Sequence, residues 1–364
     1  MRIDLMNILM IIMSVFLIVC AVAVSFTRSI LSSIVIFSAY SLIMSVMWIL
    51  MESPDLAITE AAVGAGVTGI LFYATLKKIN QIDINFYKRG PLDEKNKNRP
   101  AGDISAKTLK ASAAIYRVVA LVCVLTLAVL LVATVLNLPE VGQISNPDNN
   151  EVSERYIEKG IEETGAINFV AGMILDYRAF DTFGESNVLF VATICVMVML
   201  RISKKRDPGE ETNAEEEEVS DRFYEPANDT ILQVMSLIIF PVIMVFGIYV
   251  VLNGHLSPGG GFSGGAVLGA GFILYLNAYG FEKTDRFMNA KTVKWITFIA
   301  LMVYCLAKSY SFFTGANHLE SHIPLGTPGA ILSSGLILIL NICVGMVVAC
   351  TMYSFYALVR RGRI

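Results

Sequence analysis

Apolar runs of roughly twenty residues, separated by charged connections, recur along the whole of this 364-residue chain. A run of that length and character lets a helix cross the hydrocarbon of a bilayer at 1.5 Å per residue. Nine spans can be drawn: Leu5–Phe26, Ile30–Met51, Leu56–Leu76, Ile115–Leu136, Phe183–Ile202, Ile231–Leu252, Phe262–Phe281, Val293–Phe313 and Ala330–Leu358. The fifth is the weakest, because its wholly apolar part, Val188–Leu200, must borrow Phe183–Asn187 to reach across. Charged residues are 16% of the chain, against about a quarter in a soluble domain, and they are gathered in the connections. Leu5–Phe26 is longer than the apolar region of a signal peptide and lacks a small-residue cleavage site, so it reads as a span. The expected fold is an all-α, polytopic integral membrane protein with about nine transmembrane helices.

The distribution of charge sets the expected sidedness. Basic clusters follow span three (Lys77, Lys78, Lys88, Arg89, Lys95, Lys97, Arg99, Lys107, Lys110), span five (Arg201, Lys204, Lys205, Arg206), span seven (Lys283, Arg286, Lys291, Lys294) and span nine (Arg360, Arg361, Arg363). Nine spans with the N-terminus outside place all four clusters in the cytoplasm of an inner membrane, with the C-terminus beside them. Omitting span five would put two of them outside. The connection Pro139–Thr164 is acidic, and the outer connections Asn253–Gly261 and Gly315–Gly329 are short and rich in Gly and Pro. Two charged stretches look like linkers, 79–110 and the acidic 203–228 with Glu215–Glu218. They divide the spans into blocks of three, two and four, at 1–78, 111–202 and 229–364, with no convincing internal repeat.

Several function classes find no support. The six cysteines all lie in apolar runs without a C-x-x-C pair, and read as small packing residues rather than ligands of zinc or an iron–sulfur cluster. There is no nucleotide-binding loop, no placeable Ser–His–Asp set, no haem-attachment motif and no basic aromatic surface for nucleic acid. No catalytic centre, no metal site and no cofactor of the chain's own is expected.

An ionisable side chain within a span is costly, which makes it a functional candidate. Glu60 lies six residues beyond Pro54, about 9 Å down a helix that Ser53 can cap and Pro54 can begin. A carboxylate at that depth can take up and release a proton or a sodium ion; the plainer alternative is a neutral, hydrogen-bonded structural carboxyl. Gly64, Gly66 and Gly69 follow it, and serve close helix packing or a local distortion. Asp176, Arg178, Asp181 and Glu185 follow the apolar stretch Gly165–Leu175, which is too short to span. They read as a half-helix or surface helix that is either an exposed ion-pair network or part of an ion route. Lys308 lies about a turn and a half outward of the middle of span eight, and either snorkels to the interface or is buried against a carboxylate.

The connection from Asn253 to Gly265 holds His255, Pro258, Gly259, Gly260, Gly261, Gly264 and Gly265. It reads as a tight turn or as re-entrant backbone. His318 and His322 have a spacing that suits a metal on a helix, but Pro324 and the nearby glycines argue for a loop.

Gly254-His255-Leu256-Ser257-Pro258-Gly259-Gly260-Gly261-Phe262-Ser263-Gly264-Gly265 resembles the signature of the MrpB (MnhB) subunit of multisubunit Na⁺/H⁺ antiporters, and the likeness extends over about Glu225–Arg363. Pro54-Asp55-Leu56-Ala57-Ile58-Thr59-Glu60 resembles the motif of the MbhD-type subunit, related to the C-terminal part of MrpA. Ile174–Glu185 resembles the adjacent MbhE-type subunit. The order matches MbhD–MbhE–MbhF of a membrane-bound hydrogenase, the MbhF type being the MrpB-like one, and the charged linkers would be fusion seams.

This resemblance implies a subunit of the Na⁺/H⁺-translocating module of a multisubunit respiratory complex, with a membrane-bound hydrogenase as the expected parent. Na⁺ or H⁺ would be the transported ion. The partners it implies are the large antiporter-like subunits, small MrpC-, MrpF- and MrpG-like subunits, hydrogenase subunits and lipid. The ion-route role carries over to Glu60 through its motif position, and less directly to His255 and Lys308. Other readings are a subunit of a stand-alone Mrp-type antiporter and a purely structural scaffold. A self-sufficient transporter would favour inverted repeats, which the 3+2+4 pattern does not supply.

Overall fold

The structure, a computed structural model, describes residues 5–88, 106–139, 143, 145–200, 230–317 and 321–361. The acidic stretch 203–228, the basic cluster after span five, His318 and Arg363 lie outside the described residues. The order is α1 (Leu5–Phe26), α2 (Ile30–Leu50), α3 (Pro54–Thr59), a π-helical stretch Glu60–Thr68, and α4 (Gly69–Lys88). There follow α5 (Ala106–Leu136), α6 (Glu151–Glu158), α7 (Gly160–Thr164), α8 (Phe169–Gly172), a π-turn Met173–Tyr177 and α9 (Ala179–Leu200). The remaining helices are α10 (Thr230–Leu252), α11 (Gly261–Thr284), α12 (Ala290–Ala316) and α13 (Ile337–Arg361). Among the described residues there is no strand, and nine helical spans are long and apolar enough to cross a bilayer. The chain is a multi-pass, all-α membrane protein, as its sequence implies.

Two of the drawn spans move. The last begins at Ile337, not Ala330. Ala330-Ile331-Leu332 is apolar enough to pass for helix, but Ser334 and Gly335 take positive φ of 64° and 53°. The Ser333 hydroxyl donates to Ala330 O at 2.6 Å, and Ser334 N–H donates to Leu325 O at 2.7 Å, so the backbone bonds locally as a turn. The fifth span starts at Ala179 and encloses Asp181 and Glu185, longer than its apolar core suggested. The stretch 79–110, expected as a linker, is helical at both ends, through Lys88 in α4 and from Ala106 in α5.

Two units are distinguished: Met1–Gln81 with Tyr156–Ile364, and Ile82–Arg155. The second holds α5, whose apolar side chains from Ile115 to Leu136 are exposed along its length. In the first, α11 and α13 form the buried centre, flanked by α10 and α12, while α1 and α2 pair with each other and α2 lies against the π-helical stretch. The α11–α13 contact follows from Gly261, Gly265 and Gly269, spaced by four on one face. A Cβ on Gly265 would stand 2.6 Å from Gly345 O, and one on Gly261 would stand 2.6 Å from Asn341 O. Gly264 turns the other way, its Cβ position 2.9 Å from Val251 N of α10. Helices surrounded by lipid gain little from burying apolar surface against each other, so close backbone approach through small residues supplies the packing.

Candidate functional site

The helix bearing Glu60 starts with Pro54 at its first position, but Ser53 does not cap it; its hydroxyl donates to Met51 O at 3.4 Å. The neighbouring Asp55 instead bonds to distant segments. From Glu60 the helix widens into π geometry for nine residues. Thr68 Oγ1 donates to Val63 O at 2.8 Å, five residues back. The Glu60 carboxyl folds over Gly64: a Cβ there would collide with Glu60 Oε1 and lie 2.9 Å from Ser41 Oγ of α2. Gly69 likewise leaves room for Ser38, whose Oγ would be 2.8 Å from a Cβ at that position. Gly66 faces no other element. The glycines therefore serve both purposes open from sequence, packing at Gly64 and Gly69 and distortion of the helix between them. Glu60 is half-buried, beside a buried serine, on the side of the π stretch that meets α2.

A second unwinding places the other charged candidates. Asn168 caps α8, its Oδ1 accepting from Val170 N–H at 3.0 Å and Ala171 N–H at 3.3 Å. The chain then makes the π-turn Met173–Tyr177 and breaks at Arg178, which has φ −117° and ψ 31°. Lys308, only 5% exposed, reaches this break. Its Nζ donates to Asp176 Oδ1 at 2.9 Å and to Asp176 O at 3.3 Å. One turn earlier on α12, the buried Tyr304 hydroxyl donates to Ala179 O at 2.8 Å, and its ring stacks on Phe183 with centroids 5.4 Å apart. Thr182 Oγ1 donates to Ile174 O at 2.7 Å. Carbonyls around the break are thus supplied with side-chain donors in place of helical ones. Lys308 pairs inward and does not snorkel.

Arg178 and Asp181 form an exposed pair, Nε to Oδ2 2.7 Å, and Glu185 is exposed one turn further along α9. Asp176 turns away from these three to Lys308, and Arg178 lies in the break at the head of α9.

The glycine-rich connection is a compact loop clasped from three other segments. Asp55 Oδ1 accepts from Gly259 N–H at 2.9 Å and from Asn168 Nδ2 at 3.1 Å. Asn168 Nδ2 also donates to Gly254 O and Ser257 O, both at 3.2 Å, and Asn168 N–H donates to His255 O at 3.1 Å. Gly261 N–H donates to Asn341 Oδ1 at 2.9 Å. Gly259 and Gly260 need glycine here, with φ of 136° and 110°. Pro258, at the tip, is exposed. His255 is wholly buried with Nε2 3.3 Å from Ala330 O, while His322 is exposed. Among the described residues no three His, Cys, Asp or Glu side chains gather as a metal site.

Asp55, Asn168, Asn341 and Ser41 were not candidates from sequence. Asn168 carried a usable signal, a helix-capping residue directly before an apolar run. The other three are defined by partners far away in the chain.

Comparison with known proteins bears on each block. Residues 231–354 match the family model described as a domain related to the MnhB subunit of Na⁺/H⁺ antiporter. Residues 15–81 match the MbhD family and residues 117–218 the MbhE family, both described as subunits of MBH. An uncharacterised protein of Methanocaldococcus jannaschii is 30% identical over 197 residues, covering 49% of this chain and 71% of that protein. A chain in the structure of the Mrp complex from Dietzia sp. superimposes with a TM-score of 0.62 at 22% identity, covering 97% of this chain and 34% of that one. A chain of the membrane-bound sulfane sulfur reductase, an archaeal respiratory membrane complex, gives a TM-score of 0.50 at 26% identity, covering 66% of this chain and 96% of that one.

Proposed function

We propose that this chain, which belongs to the family of MbhD-, MbhE- and MnhB-type membrane subunits and joins all three, is part of the Na⁺/H⁺-translocating module of a multisubunit respiratory complex, with a membrane-bound hydrogenase as the parent enzyme. In this reading the chain performs no redox chemistry. It works beside large antiporter-like subunits and small MrpC-, MrpF- and MrpG-like ones. Its basic clusters face the cytoplasm and its N-terminus lies outside.

The observation that carries the proposal is Glu60, a half-buried carboxyl at the start of a nine-residue π stretch, folded over Gly64 toward Ser41. A span that only anchors the chain has no use for an acid at that depth, nor for a helix unwound around it. The carboxylate would exchange a proton for a cation, with the Ser41 hydroxyl nearby to share the load. Asp176 and Lys308 form a second ionisable station, where protonating the acid weakens its hold on the lysine.

Replacing Glu60 with Gln keeps the shape and removes the charge. Na⁺- or H⁺-coupled transport by the assembled complex should then fall at least tenfold while assembly is preserved. Unchanged transport would leave the chain a scaffold. The MnhB match over 231–354 favours a second parent, a stand-alone Mrp-type antiporter. Gentle purification from native membranes separates the two, since hydrogenase subunits co-purify only under the first reading.

A further inference from the structure

A crevice of about 870 Å³ opens between α9, α12 and α13, away from both ionisable stations. Its walls are apolar: Phe190, Ile194 and Val198 of α9 face Phe298 of α12. Three of the four hydroxyls on its floor are already committed as donors within their own helices. Thr193 Oγ1 donates to Leu189 O at 2.9 Å, Thr297 Oγ1 to Val293 O at 2.9 Å and Ser354 Oγ to Cys350 O at 2.7 Å. Those three ask nothing of an occupant, and Thr351, the fourth, is only 2% exposed, so the floor suits a hydrocarbon chain.

The mouth has the opposite character. Lys291, Lys294 and Trp295 stand at the start of α12, in one stripe with Phe298 at i, i+3, i+4 and i+7. No acidic residue is among the described residues that line the crevice, and neither lysine forms an ion pair among the described residues. Lys291 also sits in the first turn of a 27-residue helix, where the helix dipole favours an anion. Tryptophan and lysine together at the end of a span mark the level of lipid headgroups.

We propose that this crevice binds an anionic phospholipid, with its phosphate between Lys291 and Lys294 and an acyl chain along Phe190, Ile194, Val198 and Phe298. Charge complementarity selects this occupant. A neutral helix from another subunit would cover two lysines and offer them nothing, and a zwitterionic headgroup brings its own cation to the same place. The inference is independent of the ion route and survives if Glu60 proves structural.

Native mass spectrometry of the full chain tests it, after equilibration with vesicles of phosphatidylglycerol or of phosphatidylcholine. The wild type should retain phosphatidylglycerol preferentially, and the double variant Lys291→Gln, Lys294→Gln should lower that retention on the order of tenfold. Lys283→Gln, at the same end but outside the crevice, should change nothing. Ile194→Trp fills the crevice without altering charge and should displace the lipid; it carries the test if the double variant fails to accumulate. Equal retention of the two lipids by the wild type overturns the proposal. So does undiminished phosphatidylglycerol in the double variant or, should that variant fail to accumulate, in Ile194→Trp. Cross-linking of a Val198→Cys variant to a neighbouring subunit in the assembled complex would show a protein occupant instead, with the same consequence.

Discussion

Lys308 and Asp176 are each recognisable alone as costly residues, but 132 positions separate them, and nothing in either neighbourhood names the other. The pair exists because α12 passes the break at Arg178, where the chain turns both Asp176 Oδ1 and Asp176 O toward the same ammonium. Removing one partner of a buried pair strands the other charge, which costs about 3–5 kcal/mol. Asp176 keeps 34% of its side chain exposed, so the lower end of that range applies. Asp176→Ala should therefore destabilise the purified chain by roughly 3 kcal/mol, and adding Lys308→Met should recover most of the loss. Thermal unfolding of the wild type and the two variants in one detergent checks this. A double variant no more stable than Asp176→Ala would mean that the lysine is not held by the acid. Glu60 differs, because its motif and its depth are local properties and were readable. Ser41, which gives that carboxyl its polar neighbour, has no such local mark.

At the scale of elements, the spans were legible because the bilayer imposes one simple rule on length and polarity. The boundaries that failed are those where the chain obeys a different rule. Ala330–Leu332 is apolar yet belongs to a turn, because Ser333 satisfies Ala330 O locally, Ser334 donates to the distant Gly165 O, and Gly335 follows in the left-handed region. The π stretch at Glu60–Thr68 was hidden for a related reason: its glycines suit a straight, closely packed helix as well as a distorted one. One glycine of α11 and one of α9 distinguish packing from flexibility by experiment. Gly265 faces the backbone of α13, and Gly184 of α9 has nothing within 4 Å of a Cβ. Gly265→Ala should destabilise the chain by about 1–3 kcal/mol, since Gly345 O cannot move without disturbing α13. Gly184→Ala should be neutral, or stabilise by up to roughly 1 kcal/mol through helix propensity. Equal unfolding temperatures for the two variants would contradict the close approach of α11 and α13.

Over the whole molecule, sequence and structure divide the chain differently. Composition separates three blocks at two charged stretches, whereas the fold joins residues from all three in one unit and sets Ile82–Arg155 apart. Asp55 comes from the first block, Asn168 from the second and the loop Gly254–Gly261 from the third, and they meet through five hydrogen bonds of 2.9–3.2 Å. The α9 helix of the second block also packs on α12 and α13 of the third. Three subunits joined end to end would need such contacts before they were joined, so the covalent link at 203–228 should be dispensable. Residues 1–214 and 215–364, produced as separate chains in the same membrane, should co-purify as one species with transport in the assembled complex retained. Substituting Asp55 and Asn168 together by Ala should loosen the split form far more than the intact chain, because the intact chain keeps its ends at high effective concentration. Loss of association in the split form with Asp55 and Asn168 intact would make the linker, and not this junction, the element that holds the blocks together.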